Sequence, residues 1–245
     1  MISSKQTIGQ IAHSAPSTIE VFQALGIQYC CHGEQGVDSA SEAVGMSVPD
    51  LLAKVELAKK SSGGSKGPWV DPVLEALILH LIRSRETSIE SELPRVALLA
   101  RSVAQCGERV QPNAAELAMV VEALARELES HLAKEKVQLF PLIQNVELAY
   151  VGEDVSIAHP KAFRRSIGKM VHQHEEIGYL LSAASRLTDG YDGASSACSP
   201  YHELCDKLKN LDREIREQVH LENNVLFNRA LQFSDALRPV TAMAH

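Results

Sequence analysis

The sequence predicts an all-α protein, a four-helix bundle preceded by a small helical domain, and three observations carry that reading. Residues 71–105, 113–143, 160–187 and 199–232 each repeat apolar side chains at spacings of three and four, the period of an amphipathic helix. Gly and Pro punctuate the breaks at 107–112, 152–160 and 189–200. Nowhere does Val/Ile alternation run long enough to argue for a sheet. Ala, Leu, Glu and Lys are plentiful and aromatics are only 4%, a mix that favours helix.

A chain of 245 residues holds one large domain or two ordinary ones. Apolar residues at 45% and charged residues at 22% describe a folded globular chain rather than a disordered one. A formal charge of −7 argues against nucleic acid or an anionic membrane as partner, since both select a clustered positive field. No apolar run reaches the roughly 18–20 residues that span a bilayer. Met1–Gln10 is polar and lacks the apolar segment of a signal peptide, so the expected location is the cytoplasm. Cys30 and Cys31 are adjacent while Cys106, Cys198 and Cys205 are scattered; an odd count without framework spacing suggests reduced thiols.

Taken in order, Thr7–Ala12 opens a first short helix and Ser17–Leu25 a second, stopped by Gly26. A turn follows at Tyr29-Cys30-Cys31-His32-Gly33, and Ser47 with Asp50 suits the start of a helix running through Leu51–Ala58. A domain over 1–58 is marginal alone and needs a partner surface, on its own bundle or on a second subunit of a homodimer. The Ser/Gly-rich stretch over 59–69 reads as a flexible linker, 70–235 as the bundle and 236–245 as a tail.

The inward stripes of the four long helices are informative because each is apolar at both ends and polar in the middle. Helix one offers Leu79, Ile82, Glu86, Ile89 and Leu93; helix two offers Leu124, Leu128, His131, Glu135, Leu139 and Leu142. Helix three offers Ile167, Met170, His174, Ile177 and Leu181; helix four offers Leu211, Ile215, Gln218, Glu222 and Leu226. A buried carboxylate costs several kcal/mol unless it is paired or bound to a metal. Polar groups at one depth on four helices therefore point to a pair of metal ions, with Glu and His as ligands. His220 lies about 200° around the helix from Gln218 and Glu222, on a face with Arg213, Arg216 and Asn224, and so reads as solvated. His172, His80, His159 and His202 have no comparable stripe and read as structural or exposed.

Neighbouring cysteines cannot comfortably chelate one metal, a vicinal disulfide would be strained, and no second pair completes a zinc site. Cys30-Cys31 is then either a thiol pair that exchanges disulfides or receives a ligand, or a packed turn.

Residues Val21 to Gly33, including Tyr29-Cys30-Cys31, resemble the N-terminal signature of the iron–sulfur cluster repair di-iron proteins. Ser130-His131-Leu132-Ala133-Lys134-Glu135 with Leu139-Phe140-Pro141, and Leu221-Glu222-Asn223-Asn224-Val225-Leu226-Phe227, resemble that family's second and fourth bundle helices. The resemblance spans nearly the whole chain and implies a hemerythrin-like up-down bundle holding two non-haem iron ions, with manganese tolerated. It implies repair of clusters damaged by nitrosative or oxidative stress, by iron donation rather than conventional turnover. Damaged iron–sulfur proteins become the expected partners and NO or O₂ the small ligands; scavenging or sensing of NO or O₂ is one alternative role, a metal-poor regulator another. The family's site uses four histidines and two bridging glutamates. His131, Glu135, His174 and Glu222 match it, Glu135 and Glu222 being the bridges, while Glu86 falls at the first-helix histidine and Gln218 at the fourth-helix one. The expected metal ligands are therefore Glu86, His131, Glu135, His174 and Glu222. Gln218 is expected to leave an open position, unless a bulge in helix four turns His220 inward. Cys30 and Cys31 are expected to serve thiol exchange or docking to the damaged target.

Overall fold

The structure is a computed structural model that describes residues 2–61, 69, 73–105, 112–193 and 199–237. Four short helices form the N-terminal domain: α1 (Ile8–Ser14), α2 (Ile19–Ala24), α3 (Val37–Ala43) and α4 (Val48–Ser61). Thr7 starts α1 through a reciprocal capping box, its hydroxyl accepting from the Gln10 N–H while the Gln10 side chain accepts from the Thr7 N–H. Ser47 stands before α4, its Oγ accepting from the Asp50 N–H at 3.3 Å and donating to the Asp50 carboxylate. Residues 59–61 of the expected linker finish α4, whereas 62–68, and 238–245 of the expected tail, lie outside the described residues.

Four rods make the bundle. The first is α5 (Leu74–Thr87) and α6 (Ile89–Gln105); the second is α7 (Ala114–Lys134) and α8 (Phe140–Tyr150), joined by a π-turn over Glu135–Leu139. The third is α9 (Pro160–Leu187), and the fourth is α10 (Ser199–Leu221) and α11 (Phe227–Ala236), joined by a π-turn over Glu222–Leu226. Rods one and three each pack against rods two and four, which closes the ring. Helix one is not the single element expected. It breaks at Ser88, where the Thr87 and Ser88 hydroxyls both donate to the Ser84 carbonyl and compete with the helical ladder.

Apolar packing falls into two clusters. One joins the N-terminal domain (Phe22, Tyr29, Cys30) to the near half of the bundle (Leu93, Leu128, Ile177, Ile215); the other fills the far half (Leu81, Leu139, Met170, Leu226). The partner surface of the small domain is thus its own bundle. Between the clusters every rod carries buried polar residues: Arg85; His131 and Glu135; His174; Gln218 and Glu222. None of the described helices is long and apolar enough to cross a membrane.

Candidate metal centre

His131 lies in the last turn of α7, Glu135 and Glu222 open the two π-turns, and His174 lies mid-way along α9. Each π-turn adds a residue to the helical turn at a glutamate, the Phe140 N–H reaching back to the Glu135 carbonyl and the Phe227 N–H to that of Glu222. One donor atom from each of the four residues lies within 4.8 Å of all the others. His131 Nε2 is 3.0 Å from His174 Nε2 and 3.3 Å from Glu135 Oε2, and His174 Nε2 is 3.0 Å from Glu222 Oε2. Donor atoms this close, with the whole set inside 4.8 Å, could be ligands to metal.

The electrostatics agree. Glu135 is wholly buried, and among the described residues its Oε1 has no hydrogen-bond partner. Burial works against its ionisation, but Arg85, His131 and His174 outweigh burial and hold its pKa below the ordinary carboxylate range. Burial, then the neighbouring His131, pushes His174 down to about 3, so its ring is neutral at pH 7. Asn223 Nδ2 donates to the Cys30 carbonyl at 3.1 Å, which leaves its Oδ1 to accept from His174 Nδ1–H at 2.8 Å. That bond places the proton on Nδ1 and turns the Nε2 lone pair toward the cluster, as a metal ligand requires.

Glu86 is not part of the cluster. Its side chain is 50% exposed and pairs with Lys136 Nζ at 3.2 Å on the outside of the bundle. The buried stripe of α5 runs one position earlier than expected, through Leu74, Leu77, Ile78, Leu81 and Arg85, and Leu79 is 43% exposed. Arg85 is therefore the first-rod residue that enters the site. Its Nη1 lies 2.6 Å from Glu135 Oε2, its Nη2 pairs with Glu222 Oε1, and its Nε donates to Gln218 Oε1 at 2.9 Å. Gln218 in turn donates to Ser84 Oγ at 3.3 Å, so it anchors the guanidinium instead of opening a coordination position. The four-residue step from Leu81 to Arg85 along the apolar stripe is the signal in the sequence that points to it.

The N-terminal domain caps this centre. Cys31 Sγ is 3.5 Å from the His174 carbonyl and 3.6 Å from Cys30 Sγ. The hydrogen bond from Cys31 lowers the Cys30 thiol against the effect of burial, with Arg216 assisting; the same bond and burial raise Cys31. Cys30 is 1% and Cys31 9% exposed, and the Cys31 sulfur faces α9, so the pair expected to serve thiol exchange or docking lies buried between the small domain and the bundle. The turn is fastened by Asn224, whose Nδ2 donates to the carbonyls of Tyr29 and Cys30. Gly9 and Gly33 make room for it: a Cβ on Gly33 would stand 2.0 Å from Asn224 Oδ1.

His220 is also placed differently. It is buried, not solvated, with its ring 5.6 Å from that of Tyr29 and its Nδ1 3.1 Å from Asn224 Nδ2. Helix four does contain a bulge, but the bulge starts at Glu222, beyond His220, and His220 lies against the N-terminal domain rather than in the cluster. His172 is exposed beside Glu175 and Glu176, His80 packs on Trp69, and His159 caps α9.

Fold and site together define a class: a four-helix bundle built around a buried cation site of histidine and glutamate. Residues 78–230 match the family described as hemerythrin HHE cation binding domain, and residues 4–59 match a domain of unknown function, DUF542. The chain belongs to the hemerythrin HHE cation-binding family. It is 28% identical over 231 residues to the iron-sulfur cluster repair protein YtfE of Pectobacterium atrosepticum, covering 93% of this chain and 97% of the relative. It is likewise 28% identical over 225 residues to the YtfE of Edwardsiella ictaluri, covering 91% and 96%. With that of Yersinia pseudotuberculosis the identity is 26% over 227 residues, covering 93% and 97%.

Proposed function

We propose that this chain is a cytoplasmic iron-handling protein that serves the repair of damaged iron–sulfur clusters. The observation that carries the reading is the buried convergence of His131, Glu135, His174 and Glu222 beneath the Cys30-Cys31 turn. Two imidazoles and two carboxylates suit iron, with manganese or zinc as competitors. When bound, the ion supplies a redox-active, exchangeable iron. The protein's own residues orient and shield it: Asn223 fixes the His174 tautomer, Phe227 stacks on the His174 ring, and the N-terminal domain excludes water. The relatives named for cluster repair align over nearly the whole chain, the Cys30-Cys31 domain included, which supports iron–sulfur proteins as the targets.

The test is to incubate iron-loaded protein with a [4Fe–4S] enzyme inactivated by nitric oxide and to follow recovery of that enzyme's activity. Recovery with wild type and none with His131→Ala is expected. Equal recovery with both, or with free ferrous iron at the same concentration, would refute the reading.

A further inference from the structure

Each glutamate of the centre turns one oxygen to Arg85 and the other toward His174. Glu135 offers Oε2 to Arg85 Nη1 and has Oε1 3.9 Å from His174 Nε2; Glu222 offers Oε1 to Arg85 Nη2 and has Oε2 3.0 Å from His174 Nε2. That is how a carboxylate bridges two cations, with a guanidinium on one side. We propose that Arg85 is a built-in second cation, and that the site consequently takes one metal ion per chain, held by His131, His174, Glu135 and Glu222.

Features of the structure support this. Guanidinium stays charged at any ordinary pH, and its planar fork matches a pair of carboxylate oxygens. It is locked in place: Nε is bound by Gln218, Gln218 is bound by Ser84, and the ring of Phe140 lies under the guanidinium carbon at 5.2 Å. The charge count leaves room for one ion. Two carboxylates and one guanidinium sum to −1, so one divalent ion brings the buried cluster to +1 and a second would bring it to +3. Arg85 takes one oxygen of each glutamate, and the four residues left to hold a metal offer one donor atom each within a single 4.8 Å group.

The inference rests on the metal reading above, and metal stoichiometry separates the two. Full-length protein is loaded anaerobically with excess ferrous iron, desalted, and assayed for iron per chain by mass spectrometry. The same samples, oxidised, are read by electron paramagnetic resonance. Wild type is expected to hold about one ion per chain and to show the signal of an isolated high-spin ferric ion. The double variant Arg85→His with Gln218→His, which exchanges the guanidinium and its anchor for two imidazole donors, is expected to rise to about two. Arg85→Lys, which keeps a cation and guards against a folding failure of the double variant, is expected to stay near one. Two ions per wild-type chain, with the silent spectrum of a coupled ferric pair, would overturn the role of Arg85 and leave the metal reading standing. No ion in wild type but two in the double variant would show that Arg85 displaces metal altogether. No ion in either would remove the metal centre itself.

Discussion

Replacing Arg85 with Met in metal-depleted protein removes the one guanidinium that two buried carboxylates share. The side chains involved are 4%, 0% and 1% exposed for Arg85, Glu135 and Glu222, so water cannot take over the lost contacts. Removing one partner of a buried ion pair costs about 3–5 kcal/mol, and the sharing by two carboxylates places this case at the upper end. At roughly 2–4 °C per kcal/mol for a chain of this size, the melting temperature should fall by about 8–20 °C at pH 7.5 in chelator. The sign of its pH dependence follows from Glu135, whose folded pKa is depressed below its unfolded value. Its pairing with Arg85 stabilises the fold above the unfolded carboxylate value and is lost as pH falls, so the gap between wild type and variant should narrow toward pH 4. Calorimetric or circular-dichroism melts across that range make the measurement. A shift under about 2 °C at pH 7.5, or a gap that widens on acidification, would refute the reasoning.

Three further outcomes are expected. Asn223→Ala frees His174 Nδ1 from the bond that sets its tautomer and should weaken metal binding by about 10–100-fold in competition with a chromophoric chelator, while an unchanged affinity would mean the bond is idle. Gly33→Ala drives a Cβ into Asn224, which is itself tied to the Tyr29 and Cys30 carbonyls; a loss of about 1–3 kcal/mol and faster proteolysis of the N-terminal domain should follow, and wild-type resistance would contradict the cradle. Burial and nearby His13 lower His220 to about 4, so its contribution is complete above pH 6.5 and lost as pH falls toward 4. That loss reaches about 2 kcal/mol by pH 5, and His220→Phe should flatten the dependence of the melting temperature between pH 7 and 5.

Much of this protein was legible in its residues. Helical periodicity with Gly and Pro breaks located the four rods, and α9 spans the expected 160–187. The polar interruption of apolar stripes singled out His131, Glu135, His174 and Glu222, because an ionisable group flanked by apolar neighbours three and four residues away on both sides has no inexpensive bland explanation. Periodicity fixes a face only to within about one residue, or 100°, and that margin is what separated Glu86 from Arg85. It also misplaced His220, since the face that looked solvated is covered by a domain distant in sequence. Whether a side chain meets water, a carboxylate or another domain depends on what packs across from it, and only the tertiary structure decides that. The local sequence therefore determined which helices form and which of them carry charge inward. The docking of the N-terminal domain and the pairing of Arg85 with both glutamates decided the chemistry of the centre, because electrostatic free energy depends on partners and burial rather than on spacing along one helix.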